Sequence, residues 1–225
     1  MAIRIPIISE FNPKGVAAAK AEFASLEGAG SKSMFLLQKA ILPAAAAIGT
    51  FTSVIAPAIR AASDFEESTS KVNVIFGRAS KSVKDFAKDA AVSLGQSQQD
   101  VLNAAGTFGT FGKAAGLAGE DLSTFTTDFV TLSTDLASFN NTTPEEAVLA
   151  IGAALRGESE PLRRFGVLLN DATLKQEAMT LGIYDGKGAL TAQQKVLAAQ
   201  SAIYKQTGDA QGDFLRTSDG LANSQ

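Results

Sequence analysis

The chain has 225 residues, 45% hydrophobic and 19% charged, with a formal net charge of −3 and a pI near 5.1. That is enough for one sizeable core or two small ones, in a composition unlike that of a disordered chain. The absence of Cys and His removes disulfides, thiol catalysis, Cys/His metal sites and the usual imidazole base, and without clustered Lys/Arg no direct or sequence-specific nucleic-acid binding is expected.

Much of the apolar share is alanine, accompanied by 14 Phe and no Trp. Alanine favours helix and adds little buried area, so the expected fold class is all-α: closely approaching helices anchored by Phe and Leu. Met1 to Ile8 does not read as a secretory signal, because Glu10, Asn12 and Pro13 interrupt it at once. Asn12–Pro13 supplies an N-cap and a first-turn proline, and Gly28 and Gly30 close that segment. A second helical region opens near Ser33 and runs on towards Phe76, with Gly77 as its stop. Within it, Ala40 to Ile59 carries no charge, close to the length of a membrane span. Pro43 and Pro57 interrupt the stretch and alanine inserts weakly. A buried or self-packed helix is therefore favoured over a span, and a membrane-active helical protein acting through 40–59 is the alternative function.

Ser80 reads as the cap of a short amphipathic helix carrying Val83, Phe86, Ala87, Ala90, Ala91 and Leu94 on one face. Gly95 ends it, and Ser97 with Asp100 opens the next helix, which buries Val101, Ala105 and Phe108. Gly106, Gly109 and Gly112 recur every three residues there. Each costs about 1 kcal/mol of helix propensity relative to alanine, so either a neighbouring backbone comes close or the helix frays into the loop Ala114 to Gly119. A phosphate loop is excluded by the spacing, by Ala114 after Lys113, and by the lack of a preceding strand pattern.

From Asp121 to Phe139, Leu122, Phe125, Phe129, Leu132, Leu136 and Phe139 form a packed seam, and the Ser/Thr-rich opposite face is expected to be wet. Thr143-Pro144-Glu145-Glu146 starts a short helix ending at Arg156–Gly157, and the acids suit the positive end of the helix dipole. Ser159-Glu160-Pro161 starts a turn or two, stopped by Gly166. Asn170 caps a helix buried through Leu174, Ala178 and Leu181. Asp185–Gly186 and Gly188 mark a turn that would allow a tiny hairpin over 183–190. Thr191 and Gln194 form a capping box for a helix presenting Val196, Ala199, Ile203 and Tyr204 and stopping at Gly208. The last stretch has helix-start chemistry at Ser218–Asp219 and no stop, so a continuation beyond Gln225 is expected.

No residues combine into a catalytic, cofactor-binding or metal site. Asp64, Glu66 and Glu67, Glu145–Glu146, and Glu158 with Glu160 are neighbours on turns and helix starts, whereas acid/base work needs two carboxylates in distinct environments around a cleft. The run from Arg156 to Gly166 reads as a tight corner anchored by Leu162 and Phe165, its arginines answering Glu158, Glu160 or nearby helix ends.

Four ordered runs resemble the N-terminal region of phage tail tape measure proteins. They are Ala62 to Glu67 with Val72 to Gly77; Leu94-Gly95-Gln96-Ser97 with the Ala115-Gly116-Leu117 loop; Leu155 to Glu158 through Phe165-Gly166-Val167; and Gln206–Thr207 through Ala210 to Phe214 and Arg216 to Asp219. The resemblance covers 62–225, so residues 1–61 are taken as a separate Ala-rich helical part. It implies a non-enzymatic structural protein without cofactors, which fills the tail tube lumen of a long-tailed phage, sets tail length and is ejected at infection. It implies assembly in the host cytoplasm with tail tube protein, tail assembly chaperones and tail tip proteins. Self-association into a homo-oligomer and membrane contact through 40–59 accompany that expectation.

Overall fold

The computed structural model describes residues 52–222, with side-chain surroundings for 60–218. The helix expected between Asn12 and Gly28 lies outside the described residues, as does most of the apolar stretch 40–59. Among the described residues there are eight α-helices and no strand: α1 (Thr52–Phe76), α2 (Ser80–Ser93), α3 (Gln98–Ala114), α4 (Gly119–Phe139), α5 (Pro144–Leu155), α6 (Asp171–Thr180), α7 (Ala192–Gln206) and α8 (Asp213–Ala222). Short 3-10 turns lie at Gly77–Ala79 and Glu160–Phe165. The fold class is all-α. None of these helices is long and apolar enough to cross a membrane. The chain divides into two units, 1–66 and 67–225; that division and the expected boundary at 61/62 both fall inside α1. The packing described below belongs to the second unit.

Local chemistry sets four of the helix starts. Ser97 Oγ accepts from Asp100 N at 3.1 Å, Thr143 Oγ1 from Glu146 N at 3.3 Å, and Asn170 Oδ1 from Thr173 N at 2.9 Å. Thr191 and Gln194 complete a reciprocal capping box, with bonds of 2.8 and 3.2 Å. Two starts differ from expectation. Ser80 is the first residue of α2 and not its cap, because the 3-10 turn runs straight into the helix. The last helix begins at Asp213, with Ser218 well inside it, because a contact from α4 supplies the start.

Helix α4 is the axis of the unit, packed against α2, α3, α5 and α8. Phe129 is fully buried at its centre, stacked on Phe108 at 5.3 Å, edge-on to Phe125 at 5.0 Å and tilted against Tyr204 at 5.7 Å. The expected wet face of α4 is only partly wet: Thr124 and Asp128 are exposed and Thr127 and Thr131 half-buried, but Ser123, Thr126, Ser133, Thr134 and Asp135 all lie inside. Back-bonding explains how. Ser133 Oγ donates to Phe129 O at 2.7 Å and Thr134 Oγ1 to Val130 O at 3.2 Å, so these hydroxyls need no water. Thr126 Oγ1 is buried with no hydrogen-bond partner. Phe139, placed on the seam by its spacing, is exposed at the helix end, and Ala91 and Leu181 are exposed as well.

The glycine row of α3 is there for close approach. A Cβ on Gly109 would stand 2.8 Å from Phe76 Cε2 and 3.0 Å from Ile75 Cγ2, and one on Gly112 would stand 2.6 Å from Leu122 Cδ1. A Cβ on Gly106 would meet the Lys71 stem at 3.1 Å. These glycines let α1 and α4 lie against α3, which stays helical to Ala114.

The hairpin allowed over 183–190 does not form. Ile183 N donates to Ala178 O at 3.0 Å, closing α6, and Ile183 O accepts from Gln194 Nε2 at 2.5 Å, tying it to the start of α7. Tyr184 Oη donates across the turn to Gly188 O at 2.7 Å. The backbone groups a partner strand would need are thus committed to the flanking helix ends. A small core of Ala178, Leu190 and Ala198, with Leu174, Ile183 and Tyr184 against it, holds α6 to α7.

Candidate functional site

From residue 67 on, the four runs that stand out in the sequence supply joints of the second unit. Run one ends in α1, where Val72 and Phe76 are buried and Ser68 Oγ donates to Asn103 Oδ1 of α3 at 2.6 Å. Run two turns the chain between α2 and α3. Gly95 has φ +61°, and the buried Gln96 donates through Nε2 to Thr134 of α4. Its loop partner Ala115 is buried, and Leu117 N returns to Gly112 O at 2.9 Å.

Run three is the corner. Leu162, Phe165 and Val167 are buried, and Gly166 has φ +79°. Arg163 pairs with Glu160 at 3.1 Å and Arg156 with Glu158 at 3.4 Å, as the charge pattern implied. Arg164 reaches further: its Nη2 donates to Thr142 Oγ1 at 2.8 Å and to the Glu146 carboxylate, with its guanidinium 4.9 Å over the Phe165 ring. The Thr142 hydroxyl and then Arg164 hold the Glu146 carboxyl below its ordinary range. Glu146 therefore fastens the corner as well as starting α5.

Run four closes the unit. Gln206 Oε1 accepts from Leu168 N at 2.8 Å, and its Nε2 donates to Leu168 O at 3.2 Å, pinning the strand-like exit of the corner to the end of α7. Asp135 of α4, almost wholly buried, then accepts from Gly212 N at 2.8 Å and from Phe214 N at 3.3 Å. The Phe214 ring lies where a Gly95 Cβ would stand, 2.8 Å from it. Runs two and four thus meet on the Thr134–Asp135–Ser138 face of α4. Asp135 was not singled out in the sequence; an acid in a Ser/Thr-rich helix that also carries Glu120, Asp121 and Asp128 reads as solvated until that helix is known to be the axis.

Clefts open on the unit among the described residues. One of about 460 Å³ lies between the starts of α3 and α5, lined by Asp100, Asn103, Thr107, Glu145 and Leu149. A second, of about 430 Å³, is lined by Asp128, Leu181, Ile183, Leu197 and Tyr204. A third, of about 410 Å³, lies beneath α8. In the second, desolvation pushes the Asp128 carboxyl up, and burial, followed by the charges of Asp128 and Asp135, pushes the Tyr204 hydroxyl up. A phenol held this firmly protonated is not primed as a nucleophile. Among the described residues no three acidic side chains gather in a metal-holding group. The chemistry on display is cohesion: buried polar groups joining helix ends.

No family model, curated protein or solved structure matches this chain.

Proposed function

We propose that this chain is the folded N-terminal region of a phage tail tape measure protein, acting structurally and without catalysis. On this reading it sits in the tail tube lumen of a long-tailed phage, is assembled in the host cytoplasm with tube subunits, assembly chaperones and tip proteins, and leaves the tube at infection. The observation that carries the reading is the coincidence between the four ordered runs and the joints of one unit. Gln96 meets Thr134, Gln206 holds Leu168, and Asp135 holds Gly212 and Phe214. Residues that resemble a family in order, and that also make the connections on which a fold depends, are those a shared architecture would retain.

The same arrangement divides the labour within such a protein. A ruler converts residues into distance at about 1.5 Å each along a continuous helix. Here α4, the axis, has 21 residues, and α2, α3, α5 and α8 pack beside it instead of extending it. This region is a head, and not the part that measures. The test is peptide mass spectrometry on purified tails from the phage or prophage that encodes the chain, alongside deletion of its gene. Peptides from 62–225 in tails, with no tails formed in the deletion strain, are the expected results. Normal tails in the deletion strain would overturn the proposal.

A further inference from the structure

We infer that α8 is a conditional helix: a strap that is helical only while docked on α4, with Asp135 as its catch. A helix draws most of its stability from packing, and the described side chains of α8 bury little. The residue before α8 is Gly212, at φ +76°, which has no side chain to cap the first turn. The missing cap comes from another helix. The Asp135 carboxylate places one oxygen on Gly212 N and the other on Phe214 N, its charge facing the positive end of the α8 dipole.

The remaining attachment is mostly polar. Ser138 Oγ donates to Asp213 Oδ2 at 2.7 Å and lies 3.1 Å from Thr217 Oγ1. Phe214 is the one apolar anchor among the described side chains of α8, and it is only half-buried; Leu215 faces solvent. The cleft of about 410 Å³ under the strap, bordered by Leu94, Ala137, Pro144 and Phe214, shows that the strap spans its seat without filling it. The segment before it is firmer. Thr207 and Ala210 are buried, and Gln211 Nε2 donates to Tyr204 O at 2.7 Å. The hinge therefore falls at Gly212, and its opening must break the bonds that cross it, from the Arg216 guanidinium to Gln211 O at 2.7 Å and Asp209 O at 3.0 Å. Release lets Asp135 and two backbone N–H groups rehydrate together, leaving no stranded buried charge, and uncovers the Leu94–Ala137 groove. This device stands independently of the tail assignment.

Amide hydrogen exchange on the full chain tests it. The comparison helix is α6, also ten residues long but capped by its own Asn170. In the wild type, 214–222 is expected to exchange at least about tenfold faster than 122–136 of α4, by a local opening. Asp135→Asn, nearly isosteric, is expected to speed exchange of 214–222 by a further tenfold or so while leaving α6 and 122–136 unchanged. Ser138→Ala is the second variant, removing a partly exposed hydroxyl with no core change; the same local response, smaller in size, is expected. Exchange of 214–222 in step with α4 in the wild type would overturn the inference. So would an unchanged rate in both variants, or acceleration spread equally over α6 and α8.

Discussion

Two buried helical glycines give opposite answers to the same substitution. Gly152→Ala places a methyl 3.5 Å from Phe111 Cε2 and 3.7 Å from Thr107 Cγ2, which is ordinary contact. Nothing opposes the roughly 1 kcal/mol of helix propensity gained, so the variant is more stable by about that amount. In a protein of this size that raises Tm by about 2–4 °C. Gly109→Ala gains the same propensity but drives its methyl into the Phe76 ring, 2.8 Å from Cε2 and 3.0 Å from Ile75 Cγ2. Phe76 is 4% exposed and cannot swing into solvent, so overpacking costs about 1–3 kcal/mol. The net effect at Gly109 runs from about neutral to about 2 kcal/mol destabilising. Urea unfolding followed by far-UV circular dichroism separates the two variants by about 1–3 kcal/mol, with Gly152→Ala above wild type. Equal stabilisation by both would refute the claim that the missing Cβ of Gly109 is what admits α1 to α3.

Phe129→Ala removes the ring shared by Phe108, Phe125 and Tyr204 and is expected to cost about 3–5 kcal/mol; a loss below about 1 kcal/mol in the same unfolding assay contradicts the placement of the core. Thr126→Val replaces a buried hydroxyl that has no partner with a methyl of similar shape, and is expected to stabilise by about 1 kcal/mol or more. A loss of stability would mean that the hydroxyl is satisfied after all. Glu177 accepts from Lys205 Nζ at 2.7 Å and from Ser201 Oγ at 2.9 Å, and Lys205 above all holds its carboxyl below the usual carboxylate range. A depressed acid contributes stability above its unfolded pKa and loses it as pH falls through the folded one. The wild type should therefore exceed Glu177→Gln by up to about 1 kcal/mol at pH 7, and the gap should close progressively as pH falls through and below the usual carboxylate range. A gap that widens in acid would reverse the sign of the interaction.

Helix starts were the most legible feature of this sequence, because each depends on two or three adjacent residues. Ser97 with Asp100, Thr143–Pro144, Asn170, and Thr191 with Gln194 all cap the helices they announce. The glycine row of α3 signalled close approach by its spacing, though not which helices approach. Burial around α4 was not legible. Ser and Thr look solvated by composition, yet a hydroxyl bonded to the carbonyl one turn earlier is content inside a core, and nothing local distinguishes the two cases. Phe139 continues a heptad that the packing partners of α4 do not follow. Asp135 and Gln206 act through backbone groups distant along the chain, so their roles appear only when the helices are assembled. The same holds for Arg164, whose charge pattern pointed to its nearest acids while the fold offers it Glu146.

The proposal most open to a direct test is that this region is the folded head of a tape measure protein and not its ruler. In-frame deletion of 98–206, from the start of α3 to the end of α7, followed by electron microscopy of tails, tests it most directly. The account predicts few or no tails, and wild-type length in any that form. Abundant tails shortened in proportion, by about 160 Å at 1.5 Å per residue removed, would contradict it.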